Sequence, residues 1–147
     1  MRIIVLEDND NLRTVLSELL SSAGYEVFTF SSPSICPIQR PDKCSCAPGH
    51  TCADVIISDL GMPGMDGLRF MEILKKKNCR CRHMAVMSGL WKNDKLRQAE
   101  LLGCKTLWKP FQADSFFKWL KAIEKKIDPH RKLFNLFLET NSAADDI

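Results

Sequence analysis

Apolar residues along this chain fall into two alternating kinds of run. Ile3-Ile4-Val5-Leu6 is continuous, the pattern of a strand buried on both faces. Leu12, Val15, Leu16, Leu19 and Leu20 then recur at i, i+3 and i+4, the stripe of an amphipathic helix. Asn9 or Asp10 can cap that helix, and Gly24 stops it. Tyr25 to Phe30 predicts a second strand and Val55 to Ser58 a third. Leu68 to Lys77 predicts a helix with Leu68, Met71 and Leu74 on one face. Met84 to Met87 predicts a fourth strand, Asn93 to Leu102 a short helix ended by Gly103, and Thr106 to Trp108 a fifth strand. Ala113 to Ile127 predicts a helix with Phe116, Leu120, Ile123 and Ile127 in register.

Strands alternating with helices imply an α/β fold: a doubly wound, five-stranded parallel sheet of flavodoxin-like form, with right-handed crossovers. One crossover helix is missing. Between the second and third predicted strands, residues 31–53 hold Pro33, Pro37, Pro41, Pro48 and Gly49, too many breakers for a regular helix. This crossover is expected to be a Cys/Pro-rich loop. Residues 1–127 then form one domain. In the tail, 128–147, Leu133, Phe134, Phe137 and Leu138 fall on one face of an expected helix, which packs on its own domain or forms a homodimer contact. No output domain is expected.

At 147 residues the chain is long enough for one domain with a real core. No apolar run is long enough to span a bilayer, and Glu7 and Asp8 follow the first strand too soon for a signal peptide. A cytoplasmic location is expected. The net charge of +3 decides little about partners. Lys75-Lys76-Lys77 with Arg80 and Arg82 reads as a solvated helix end, and no nucleic-acid-binding module is visible. Seven cysteines are many for such a chain, and their odd number argues against a full set of disulfides.

Asp59 ends the third apolar run and is followed by Leu60-Gly61-Met62-Pro63-Gly64-Met65-Asp66-Gly67, a stretch built to turn. A carboxylate at the carboxyl end of a buried strand lies where open α/β sheets place ligand chemistry. The same edge receives Glu7 and Asp8, Ser88-Gly89, and Lys109-Pro110-Phe111. Three carboxylates crowded together require a cation, and a hard, all-oxygen site suits Mg²⁺.

On these four motifs, in this order at four strand ends, the chain resembles the receiver domain of two-component response regulators, in the single-domain chemotaxis form. The resemblance runs from Arg2 to about Ile127. It implies a signalling phospho-acceptor rather than a conventional enzyme, acting through protein–protein contacts. Asp59 would be the nucleophile towards a phosphohistidine of a sensor histidine kinase or phosphotransfer protein. Asp8 and Asp59, with the backbone carbonyl of Gly61, would bind Mg²⁺ directly, and Glu7 through water. Ser88 would hydrogen-bond a phosphoryl oxygen, Lys109 would supply positive charge, and the Lys109–Pro110 peptide would be cis.

Three departures from that pattern stand out. Thr106 occupies a place that is often aromatic in the family, with Trp91 and Trp108 nearby. Gly61 and Leu90 occupy the positions that tune acyl-phosphate hydrolysis, and neither can orient a water, so slow self-dephosphorylation is expected. The crossover carries Cys36, Cys44, Cys46 and Cys52 beside His50, enough soft ligands for Zn²⁺ or another thiophilic ion; the bland alternative is a loop with free thiols. Cys79, Cys81 and Cys104 read as buried thiols or bystanders, and His130 as solvated. Two other functions fit part of the pattern. Asp8-Asn9-Asp10 after a strand mimics the opening motif of haloacid-dehalogenase-type phosphatases, which would make Asp8 the nucleophile. A metal- or redox-responsive interaction module would use the cysteine loop and leave the acidic pocket vestigial.

Overall fold

The computed structural model describes residues 1–39, 44 and 46–134. Five parallel strands form the main sheet: β1 (Arg2–Leu6), β2 (Glu26–Phe30), β4 (Val55–Asp59), β5 (His83–Ser88) and β6 (Lys105–Trp108). Their spatial order is β2-β1-β4-β5-β6. Helices α1 (Asp10–Ser22), α2 (Gly67–Lys76), α3 (Asn93–Leu102) and α4 (Ala113–Glu124) alternate with them. The expected α/β fold and five-stranded parallel sheet are therefore present, with boundaries within a few residues of those predicted.

Every residue of β1 and β4 is buried, which is why both read as unbroken apolar runs. Successive side chains leave opposite faces of a strand, and β1 divides accordingly. Ile4 and Leu6 join a core with Leu68, Phe70, Met71 and Leu74 of α2 and Ala99 of α3. Ile3 and Val5 join a second core with Leu16 and Leu20 of α1 and Phe116, Leu120 and Ile123 of α4. The helices end where their sequences say. The Asn9 side chain accepts from the Leu12 N–H at the start of α1. Gly103 adopts a left-handed conformation, φ 70°, after α3.

The chain leaves β1 for β2 on one side and returns to β4 on the other. The carboxyl ends of β1 and β4 thus flank the point where the winding reverses, the usual place for a crevice in such sheets.

The crossover between β2 and β4 has no α-helix. Two 3-10 turns, Pro33–Ile35 and Pro37–Gln39, each begin at a proline. It ends in a two-residue strand, β3 (His50–Thr51). Cys36 and Ile38 are buried against the α2 side of the sheet, filling space a crossover helix would otherwise cover.

The tail differs from expectation. Arg131 to Phe134 does not begin a helix: Lys132–Leu133 forms β7 and pairs in parallel with β3. The Lys132 N–H donates to the Gly49 carbonyl at 3.0 Å and the Phe134 N–H to the Thr51 carbonyl at 2.8 Å. Buried Asp54 explains the choice. Its carboxylate accepts two bonds from the Arg131 guanidinium at 2.8 Å and one from the Arg2 N–H at 2.8 Å. Phe134 packs on the core. Phe137 and Leu138 lie outside the described residues.

Candidate functional site

Glu7 and Asp8 follow β1 directly and Asp59 closes β4, so register alone brings three carboxylates to one sheet edge. Each offers an oxygen within 4.8 Å of the others. Glu7 is 0 % exposed and Asp59 7 %, while Asp8 faces solvent.

Lys109 reaches this trio from the end of β6. Its ammonium donates to Glu7 Oε2 at 2.9 Å and to Asp59 Oδ1 at 3.0 Å. The Lys109 N–H donates to the Ser88 carbonyl at 2.9 Å, tying the ends of β5 and β6 together. The Lys109–Pro110 peptide is cis, as expected. Glu7 also accepts from the Asn9 N–H at 3.1 Å.

Burial pushes the Asp59 carboxyl up to about 6, and the nearby Glu7 charge adds to the rise against the opposing pull of Lys109. For Lys109, burial disfavours the charge, but the hydrogen bonds its ammonium donates to Glu7 and Asp59 outweigh it and its pKa rises. The pocket holds more negative charge than one lysine neutralises, which is the condition for drawing in a divalent cation.

Gly67 sets the shape of the turn beyond Asp59. A Cβ built on it would collide with the Asp59 carbonyl oxygen and crowd Ser58 Oγ. Only glycine lets α2 start this close to the site. Asp66 caps the helix by accepting from the Arg69 N–H at 2.7 Å, and its other oxygen meets Lys95 at 3.3 Å. Gly61 is exposed, and a side chain there would meet open space.

Ser88 lies at the end of β5, one residue beyond the partner of Asp59 in the ladder. Its hydroxyl is engaged locally, donating to the Leu90 carbonyl at 2.8 Å and accepting from the Leu90 N–H at 3.1 Å. Leu90 itself is 67 % exposed. Thr106 is half-buried on β6, and Trp108 stands exposed. Trp91 is buried and donates from its indole N–H to the Leu107 carbonyl at 2.9 Å.

The response regulator receiver domain family matches residues 3–121. This chain belongs to that family. Among relatives of the receiver domain, the chemotaxis protein CheY of Treponema pallidum is 26 % identical over 127 residues, covering 84 % of this chain and 83 % of its own. The sporulation initiation phosphotransferase F of Bacillus subtilis is 25 % identical over 118 residues, covering 77 % and 85 %. Two solved receiver domains share the fold. That of a Francisella response regulator superposes with TM-score 0.69 at 20 % identity, covering 85 % of this chain and 97 % of its own. That of a Pseudomonas aeruginosa sensor histidine kinase, with a magnesium ion coordinated in its active-site cleft, gives 0.64 at 21 %, covering 82 % and 94 %. Family membership removes the haloacid-dehalogenase reading, and the exposed Asp8 receives no hydrogen bond from Lys109. Among the described residues no helix is long and apolar enough to cross a membrane.

The cysteines regroup relative to expectation. All seven are free thiols. Cys52 and Cys44 pull the Cys46 thiol down to about 6, and Cys52 likewise lowers that of Cys79. The interacting thiols therefore include Cys79, which sequence reading set aside as a bystander. Cys36 is fully buried, which pushes its thiol up to about 12 with Cys79 adding to the rise, and the His50 ring bonds its own turn, Nδ1 to the Pro48 carbonyl, at 3.3 Å. No sequence signal separated Cys79 from Cys81; which of the two approaches the loop depends on how α2 ends.

Proposed function

We propose that this receiver accepts a phosphoryl group on Asp59 from a phosphohistidine of a sensor kinase or phosphotransfer protein, and passes the signal on by protein–protein contact. One observation carries the reading: the Lys109 ammonium bridges Glu7 and Asp59, 2.9 and 3.0 Å away, with Asp8 completing the cluster.

An Asp59 carboxylate oxygen attacks phosphorus in line. The P–O bond forms as the P–N bond to the donor imidazole breaks, and the imidazole leaves with its electron pair and takes up a proton. Little covalent chemistry falls to the protein; position and charge dominate. Lys109 holds Asp59 in place and remains beside the incoming phosphoryl oxygens. The donor set fits Mg²⁺, being hard, anionic and open on the Asp8 side. Asp8, Asp59 and the Gly61 carbonyl would hold that ion, which when bound neutralises charge on the transferring group. Ser88 would leave Leu90 to donate its hydroxyl proton to a phosphoryl oxygen.

Acetyl phosphate with Mg²⁺ should label the wild-type chain at Asp59, as peptide mapping by mass spectrometry would reveal. Asp59→Asn should abolish the label. Modification at Asp8, or undiminished labelling of the variant, would overturn the reading.

A further inference from the structure

We propose that a cleft at the amino ends of β4 and β5 binds a small polyphosphate, a chain of phosphoryl groups either free or carried on a nucleoside. Asp54 precedes β4 and Asp59 ends it, so the cleft lies at the opposite sheet edge from the phospho-acceptor cluster and uses none of its residues.

The cleft holds about 530 Å³, within the ~300–1,000 Å³ of small-ligand sites. Its walls come from three stretches far apart in sequence: the chain around β3, the link from α2 to β5, and the segment after α4. The last two bring positive charge. In sequence the basic run after Leu74 reads as a solvated helix end, but the fold divides it. Lys76 pairs with Glu72 at 3.0 Å along α2, whereas Lys75, Arg80 and Arg82 line the cleft. Exposure alternates at 80–82: Cys81 is buried, and the arginines on either side of it are exposed. Lys126 and Arg131 line the same cleft from beyond α4.

The acids of the cleft do not cancel this charge. Asp54 is committed to the Arg131 guanidinium and the Arg2 N–H, each at 2.8 Å. Asp128 accepts from the His130 N–H at 2.8 Å, and its charge also acts on Arg131. Among the described residues no carboxylate forms an ion pair with Arg80, Arg82 or Lys126. Arg80 uses Nε on the Cys46 carbonyl at 2.9 Å, which leaves its terminal nitrogens to a ligand. His83, at the start of β5, registers the excess. Burial first, then Lys126 and Arg82, hold its imidazole below the usual histidine range, against a weaker opposing pull from Asp54.

These groups favour phosphate over other anions. A guanidinium fork matches phosphoryl oxygens bidentately. Cations spread around a cleft suit charge spread along several phosphates better than one compact anion. Helices α2 and α4 end at this edge, and their terminal carbonyls disfavour an anion, so the basic side chains must hold it. No Phe, Tyr or Trp is among the described residues lining the cleft, so a nucleic-acid strand finds no stacking platform there.

Calorimetric titration of the full chain in Mg²⁺-free buffer should show one saturable site for tripolyphosphate, weakening as salt rises. ATP separates the two sources of the phosphate chain: equal or weaker binding assigns the site to the phosphates alone, tighter binding to a nucleotide. Arg82→Ala and Lys126→Ala should each weaken tripolyphosphate ~10-fold with unchanged urea melts, while Lys76→Ala should bind as the wild type does. No saturable binding of either probe would overturn the proposal, as would undiminished affinity in both cleft variants. A single-stranded RNA oligonucleotide that binds more tightly than tripolyphosphate, and loses as much in the same variants, would overturn it in favour of nucleic acid.

Discussion

Asp59 is held at a cost. Its carboxyl titrates near 6 because the residue is buried beside Glu7, whereas an unfolded aspartate titrates near ~3.9. Between these values the native chain binds more protons than the unfolded one. Its stability contribution is present below about 4 and is lost as pH rises through about 6. In metal-free buffer Asp59→Asn should remove that decline and raise unfolding free energy above pH 6 by ~1–2 kcal/mol, measured by urea titration. Added Mg²⁺ should stabilise the wild type and leave the variant much less affected. Gly61 and Leu90 raise a separate question at this scale. Neither offers a polar group to orient water on an aspartyl phosphate, and the space at Gly61 is open. Gly61→Asn should therefore fold normally and shorten the phosphoryl lifetime several-fold; decay of labelled protein with unchanged half-life would count against slow self-dephosphorylation.

Helix α2 shows how an element serves a site it does not belong to. Its first residue, Gly67, lies against the Asp59 carbonyl, and its far end carries Cys79 towards the crossover loop. Gly67→Ala should push the helix start away from β4, costing ~1–3 kcal/mol in a urea melt. Acetyl-phosphate labelling should slow in the same variant, because Asp59 loses its position rather than its chemistry. The short strands β3 and β7 make the opposite point. Neither has a signal of its own, since two residues carry no periodicity. Lys132–Leu133 extends because Arg131 is drawn to buried Asp54 and Phe134 to the core. A helical stripe in Leu133 and Phe134 loses to those two long-range contacts.

Asp54 ties the whole molecule together, joining the start of β1, the crossover and the tail through Arg2 and Arg131. Burial opposes its charge, but Arg131 and the Arg2 N–H hold its carboxyl below the usual aspartate range. That contribution to stability is present above about pH 4 and lost as pH falls through the depressed native value. Asp54→Ala should cost ~2–4 kcal/mol near neutrality, since Arg131 loses its partner and the Arg2 N–H its acceptor. Phosphoryl labelling should survive at a temperature where the variant remains folded, the network lying at the opposite end of the strands from Asp59. How much of this was legible in sequence follows from where the information resides. The strands, the four helices and the meeting of Glu7, Asp8, Asp59 and Lys109 were readable because each motif sits at the end of its own apolar run, and parallel register aligns those ends. The engagement of Ser88 with Leu90, the burial of Trp91 and the short strand at Lys132–Leu133 were not. The sequence determined periodicity, turn chemistry and ligand types, which act within a few residues. Only the tertiary structure decided which partner claims Arg131, because a contact across 77 positions depends on packing that no local pattern encodes.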